Sequence, residues 1–349
     1  MSIKRTAFTL ANQALDRLPS PIRQLTLQGI ATLPLERMRP RFMAIEPTNA
    51  CNLKCPLCPV GASTMTRPRG FMDFDLYRSL VDEISSHANQ LLMNFAGEPL
   101  LHPRIGDMVA HAVGHDLRLT LGTNGNIDKM EEMVEAGLPE ILFAIDGTTP
   151  ETYTRYRVGG DLDSALANLE KLMAARSRAG TGTPRVILQF VVMRHNEAQI
   201  PELVEIGRRF GVDEISLQPV CVNDFFETDR ADLLETWVPP ASQIVLHPGA
   251  DDDAVLKPPP LCVWPLQSVV LFNGDVTMCC FDADGKHVVG NAFQPGGFKR
   301  VWESPEYRTL RKEMILQTPS LCRQCDISLV KPSRFSPADY SPHAEGANA

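Results

Sequence analysis

From residue 41 onward the chain alternates between two hydrophobic periods. Short apolar runs at 42–46 (FMAIE), 91–95 (LLMNF), 117–121 (LRLTL), 141–145 (ILFAI), 186–192 (VILQFVV) and 214–218 (EISLQ) read as strands. Runs of this length, rich in branched and aromatic residues, suit a sheet buried on both faces. Between them, 74–86, 104–113, 127–136, 163–179 and 197–210 carry helical spacing of apolar residues. Gly137, Gly180 and Gly211 stand where helix C-caps belong, because glycine tolerates the left-handed conformation there. Six β units joined by helical crossovers predict an α/β chain with a parallel sheet and helices outside. Six is two short of a closed eight-stranded barrel, so the predicted form over 41–220 is a partial (β/α)6 TIM-type barrel.

The flanking segments read differently. Residues 1–40 are helical in pattern, with Phe8, Leu10, Ala11, Ala14, Leu15 and Leu18 on one stripe ended by Pro19, and Ile22, Leu25, Leu27 and Ile30 beyond it. Residues 221–260, with Asp251–Asp253 and Pro258–Pro260, read as an acidic, proline-rich linker. Residues 261–330 hold five cysteines and an Asn273-Gly274 turn, which predicts a small β-hairpin domain. The tail 331–349 is rich in Pro, Ser and Ala and is expected to be disordered. The chain has no internal repeat.

Composition narrows the class. Of 349 residues, 44% are hydrophobic and 22% charged, as in soluble globular proteins. No apolar run approaches the ~20 residues of a membrane span, and the first twenty residues lack the continuous apolar stretch of an export signal. A cytoplasmic location is therefore expected. The net charge of −8 argues against a nucleic-acid binder, which would carry a basic stripe. The nine cysteines are odd in number and clustered, so metal binding is a better reading than a disulfide scaffold.

The first group lies in E46-P-T-N-A-C51-N-L-K-C55-P-L-C58-P, directly after the first strand. Barrel chemistry sits at the C-terminal ends of strands. Three thiolates on one loop can hold three corners of a [4Fe–4S] cluster and leave one iron open. Zinc, or unrelated buried thiols, is the alternative, although structural zinc wants four ligands and no histidine lies nearby.

This C-x3-C-x2-C spacing after a first strand resembles the radical S-adenosylmethionine (radical SAM) superfamily, and the resemblance covers about residues 41–220. It implies that Cys51, Cys55 and Cys58 hold a cluster whose open iron binds SAM. One-electron cleavage of SAM then yields a 5′-deoxyadenosyl radical that takes hydrogen from substrate. Ala96-Gly97-Glu98-Pro99 resembles the family's Gly-Gly-Glu motif, with Ala96 replacing the first glycine. Gly97 would permit close backbone approach and Glu98 would accept from the SAM ammonium. Thr123-Asn124-Gly125 resembles the family's Thr-Asn-Gly near the ribose and methionine moieties. Ile145-Asp146-Gly147 resembles Ser-Ile-Asp-Gly, with Ala144 at the serine position. Leu57 occupies the apolar position near adenine. Gln189, Arg194 and Gln218, on or after the later strands, are candidates to face the cavity. An electron donor such as flavodoxin or ferredoxin is implied.

The second group, Cys262-x11-Gly274-x4-Cys279 followed by Cys322-x2-Cys325, resembles the opening of the SPASM domain in its shortened, twitch form. That implies one auxiliary [4Fe–4S] cluster held by Cys262, Cys279, Cys322 and Cys325. Cys280 is an alternative to Cys279, a zinc ribbon is an alternative to the cluster, and Cys221 reads as a small buried residue. A shortened domain implies a small carbohydrate or aminocyclitol substrate and an oxidation, or a related decarboxylation or epimerisation. The auxiliary cluster would serve electron transfer. The competing expectation is a maturase of a ribosomally made peptide, against which 1–40 is too short and too helical for a winged peptide-recognition domain. A non-catalytic zinc-binding scaffold is the third.

Overall fold

A computed structural model describes residues 11, 12, 14, 15, 17–222, 230–239, 262–323, 325 and 333–340. The barrel strands are β1 (Phe42–Ile45), β2 (Gln90–Met93), β3 (Arg118–Thr123), β4 (Glu140–Ala144), β5 (Arg185–Val192) and β6 (Glu214–Pro219). Beyond them come β7 (Ser268–Val270), β8 (Asp275–Thr277), β9 (Gly290–Asn291) and β10 (Ser333–Phe335). Helices α1 (Ser20–Ala31), α2 (Phe74–Ile84), α3 (Ile105–Gly114), α4 (Met130–Glu135), α5 (Pro150–Tyr156), α6 (Leu162–Ala179), α7 (Ile200–Phe210) and α8 (Arg230–Trp237) precede the C-terminal region. That region adds α9 (Gly297–Trp302), α10 (Pro305–Ile315) and α11 (Ser320–Arg323).

One sheet runs β10-β6-β5-β4-β3-β2-β1-β7-β8-β9. The six strands β1 to β6 are parallel and lie in sequence order, an open partial barrel. Strand β7 extends it by pairing parallel to β1, and β8 and β9 continue antiparallel. Alternation along each strand divides the barrel into two surfaces. Leu119 and Leu121, Ile141 and Phe143, Leu188 and Phe190, and Ile215 and Leu217 share one apolar cluster with the helices. The residues between them, Thr120 and Gly122, Leu142 and Ala144, Ile187 and Gln189, and Ser216 and Gln218, therefore face the barrel interior.

Local chemistry fixes the helix ends. Asp73 caps α2 by accepting from Asp75 N (2.9 Å) and Leu76 N (3.0 Å), and Asp161 caps α6 by accepting from Ser164 N (2.7 Å). Gly180 and Gly211 terminate α6 and α7 with φ of +65° and +69°.

The structure departs from the sequence reading in the flanks. Part of the expected linker forms α8, whose Trp237 is buried against Tyr156 and His195, both at 5.6 Å between ring centroids. Part of the expected disordered tail forms β10, which pairs antiparallel with β6 and covers that edge of the barrel sheet. An uncovered edge offers unpaired backbone groups, and pairing them outweighs the weak local propensity of Ser333-Arg334-Phe335. Residues 341–349, most of the linker, and Phe8 and Leu10 of the N-terminal stripe lie outside the described residues.

The C-terminal region is docked by polar clamps. Glu83 of α2 accepts from Phe298 N (2.9 Å) and Lys299 N (2.7 Å) at the start of α9. Arg67, on the loop after the first three cysteines, makes a bidentate pair with buried Glu46 at 2.9 and 2.8 Å, and its Nε donates to Ala283 O at 2.8 Å. Asp284 accepts from Thr66 N (2.7 Å), the Thr66 hydroxyl (2.6 Å) and Arg67 N (3.1 Å). The cysteine loop and the hairpin region are thereby held in one register.

Candidate active site

The loop after β1 folds back on itself because of small residues. A Cβ on Gly61 would lie 2.4 Å from Cys55 N and 2.5 Å from Cys55 O, so glycine alone lets the chain close over this cysteine. Cys58 N donates to Cys55 O (3.1 Å), and Leu53 N donates to the Cys51 sulfur (3.4 Å). Gly97, at φ +79°, rests on the same loop. A Cβ there would meet Thr48 O at 2.5 Å and Ala50 O at 2.6 Å, and Glu98 N donates to Ala50 O at 2.7 Å. The close backbone approach expected of Gly97 is thus made toward the cysteine loop.

Cys51, Cys55 and Cys58 are free thiols close enough to act on one another electrostatically. Burial raises the pKa of Cys51. It pushes Cys55 up to about 11, with Arg157 opposing and Cys58 adding to the rise. Arg157 was not a candidate from the sequence. Its Nη1 lies 3.9 Å from the Cys55 sulfur, and its Nε donates to Asp146 at 2.5 Å. Asp146 is fully buried and also accepts from Val191 N (2.6 Å). Its carboxylate therefore holds Arg157 against the cysteine loop.

Glu98 is also committed. Its Oε1 accepts from Leu100 N (3.1 Å) and the Thr123 hydroxyl (2.9 Å), and its Oε2 accepts from Asn124 N (2.8 Å). Burial raises its pKa, opposed by these three donors. Asn124 turns its Nδ2 to Asn52 Oδ1 (2.9 Å), with the Cys51 sulfur 4.0 Å away. Glu98, Thr123 and Asn124 therefore form one network that ties the ends of β2 and β3 to the cysteine loop.

An apolar wall completes this end of the barrel. Leu53, Cys55, Tyr156, Met193, Val220 and Trp237 form a buried cluster, with Leu57 and Leu233 packed against it. Strand alternation turns Gln189 and Gln218 inward, and the Gln218 side chain donates to Ser216 Oγ at 2.8 Å. Arg194 is exposed on the turn after β5, where its backbone N–H donates to Trp237 O (2.8 Å).

The second cysteine group converges as well. Cys262, Cys279, Cys322 and Cys325 line one cavity with Trp264, Met278, Phe281, Met314 and Leu321. Burial raises the thiols, Cys279 strongly and Cys322 to about 12. Cys280 does not line this cavity, although Cys279, Cys325, Cys262 and Cys221 all act on it electrostatically. Cys221 is half-buried, with its sulfur 3.9 Å from Pro219 O.

Sulfur spacing tests what these sets can hold. Among the described residues, no three of the sulfurs lie within 4.8 Å of one another. One tetrahedral zinc with bonds of ~2.3 Å would need sulfurs about 3.8 Å apart. A four-iron cluster, in which each thiolate binds a different iron, does not require the sulfurs to be that close.

Comparison with known proteins agrees with the geometry. Residues 45–207 match the sequence model of the radical SAM superfamily. These residues make up a radical SAM domain. Residues 262–326 match the SPASM iron–sulfur cluster-binding domain, so the cofactors that go with the two domains are SAM and a [4Fe–4S] cluster on the barrel and auxiliary iron–sulfur in the C-terminal region. A tungsten-containing aldehyde ferredoxin oxidoreductase cofactor-modifying protein of Pyrococcus furiosus is 28% identical over 205 residues, 55% of this chain. The match spans only 57% of that relative's length. The mycofactocin maturase MftC of Mycobacterium ulcerans is 26% identical over 312 residues, 82% of this chain and 80% of its own. Among solved structures, Streptococcus suis SuiB bound to its precursor peptide SuiA superposes with a TM-score of 0.59 at 15% identity, over 81% of this chain and 69% of SuiB. BtrN with AdoMet and 2-DOIA gives 0.51 at 17% identity, over 82% and 95%. Among the described residues no helix is long and apolar enough to cross a membrane.

Proposed function

We propose that this radical SAM enzyme is a maturase that modifies a peptide. The observation that carries this reading is the match to MftC, which runs through both the barrel and the cysteine-rich C-terminal region at similar coverage of each chain. The expectation of a carbohydrate substrate becomes the second reading. It keeps one specific support: no cysteine follows Cys325, so the C-terminal region has the cysteines for a single closed auxiliary cluster.

In this reading Cys51, Cys55 and Cys58 hold the SAM-binding cluster, and Cys262, Cys279, Cys322 and Cys325 hold the auxiliary one. When bound, the reduced cluster and SAM supply a carbon radical able to take a hydrogen atom from substrate. The chain's own residues set the conditions. Asp146 fixes Arg157, which keeps a positive charge beside the Cys55 thiolate and offsets the cost of burying it. Glu98 holds the ends of β2 and β3 at the spacing the cofactor needs, and one lone pair of Oε2 is left to accept from an ammonium. Trp237, Tyr156 and Leu57 keep water from this end of the barrel. Gln189 and Gln218 present amide donors and acceptors inside it, suited to backbone amides of a peptide. A cytoplasmic location and a flavodoxin or ferredoxin donor belong to the same proposal.

The test is substrate-dependent formation of deoxyadenosine by the anaerobically reconstituted enzyme, against a pool of short peptides and a pool of amino sugars. Stimulation by peptides, with a mass change in the peptide, supports the reading. Stimulation by the sugar pool alone replaces it with the second.

A further inference from the structure

We propose that the outer face of the barrel carries a binding site for a borderline divalent transition ion of the zinc class, built from Asp82, His111 and His115. Among the described residues this is the group whose three donor atoms lie within 4.8 Å of one another. His111 and His115 are four residues apart on α3 and at its C-terminal end, a spacing that puts both side chains on one helix face. Asp82 reaches them from the last turn of α2. His111 Nε2 lies 2.8 Å and His115 Nε2 3.0 Å from the same oxygen, Asp82 Oδ1. The two imidazoles meet edge to face, with centroids 4.9 Å apart.

Two features argue for a site. The first is convergence. Each ring aims its Nε2 at one point, where separate hydrogen bonds would be served equally well by either carboxylate oxygen. Zinc bound to nitrogen and oxygen at ~2.0–2.1 Å would separate its donors by about 3.4 Å. Asp82 Oδ1 and each imidazole nitrogen therefore need to part by only about half an ångström to admit it. The second is preorganisation. Between the same two helices the buried Tyr77 hydroxyl donates to Met108 O at 2.8 Å, and the Tyr77 ring supports His111 at 6.3 Å between centroids. The ligands stand on helices already locked together. Two imidazoles exclude magnesium and calcium, which take oxygen donors. Three protein ligands on a half-exposed face leave a fourth position to water. The ion would join α2 to α3, using none of the cysteines.

The experiment uses the untagged, cluster-loaded protein, in which the seven cluster cysteines are occupied, and zinc alone as the probe. Equilibrium dialysis counts bound zinc, and X-ray absorption at the zinc edge identifies its neighbours. The expected result is one zinc per chain with nitrogen and oxygen at ~2.0–2.1 Å, and a melting temperature that rises with zinc. His111→Ala and His115→Ala should each lower affinity by more than ~10-fold, since loss of an outer-sphere partner alone costs that much. Asp82→Asn, which keeps the shape, should weaken binding as well. Sulfur neighbours at ~2.3 Å, or equal uptake by wild type and the His111→Ala/His115→Ala variant, would overturn the site and leave a hydrogen-bonded surface cluster.

Discussion

The two cysteine centres differ in what surrounds their sulfur. The first sits in a polar frame: Arg157 lies 3.9 Å from Cys55, Asn124 4.0 Å from Cys51, and Glu98 anchors the strand ends beside them. The second is lined by Trp264, Met278, Phe281, Met314 and Leu321, and burial raises the Cys262, Cys279 and Cys322 thiols. The first has three cysteines and the second four. A centre that must admit a charged cofactor needs fixed dipoles and an open corner. A centre that only passes electrons is served by four thiolates and an apolar wall.

Substitutions can break this contrast. The largest effect is expected from replacing Cys51, Cys55 and Cys58 together by Ala: deoxyadenosine formation should fall to background, while iron falls by about half, one of two four-iron clusters. Replacing Cys322 and Cys325 by Ala should remove a similar share of iron yet leave SAM cleavage in place, with product lost if the substrate radical needs an electron acceptor. Retained product would make the second centre a bystander. Asp146→Ala should destabilise the fold by ~3–5 kcal/mol, because it strands the buried Arg157 charge. A melting curve on the reconstituted variant measures this, and adding Arg157→Met should recover part of the loss. Glu98→Ala removes an acceptor shared by three donors, so stability and SAM affinity should both fall, by about 1–3 kcal/mol in stability. An effect on affinity alone would mean that the network does not carry the strand ends. Smallest is Cys280→Ala, which should leave iron content unchanged if Cys279 is the ligand.

What the sequence made legible follows from distance along the chain. The six barrel strands and the first cysteine loop are local patterns, readable from periodicity and a seven-residue spacing. Arg157 is 102 residues from Cys55, and its role depends on α5, a seven-residue helix that periodicity did not isolate. Asp146 and Glu98 were legible as positions in motifs, but their partners were not. Hydrogen bonds to Val191 N and Asn124 N depend on how neighbouring strands align. Helix α8 lies in an acidic stretch with little amphipathic pattern, and only the tertiary contact of Trp237 gives it a place. Strand β10 has three residues and gains its structure from the open edge of β6. Arg194 stands just after a strand, where its backbone N–H rather than its side chain makes the contact to Trp237 O.

The central claim is that two iron–sulfur centres coexist and that SAM engages only the one on the barrel loop. Electron paramagnetic resonance of the dithionite-reduced enzyme, with and without SAM, tests it most directly, in wild type and in the Cys322→Ala/Cys325→Ala variant. Wild type should give two overlapping signals, of which SAM shifts one, and the variant a single SAM-sensitive signal. A variant signal that ignores SAM, or wild-type protein with one cluster and zinc in the C-terminal cavity, would contradict it.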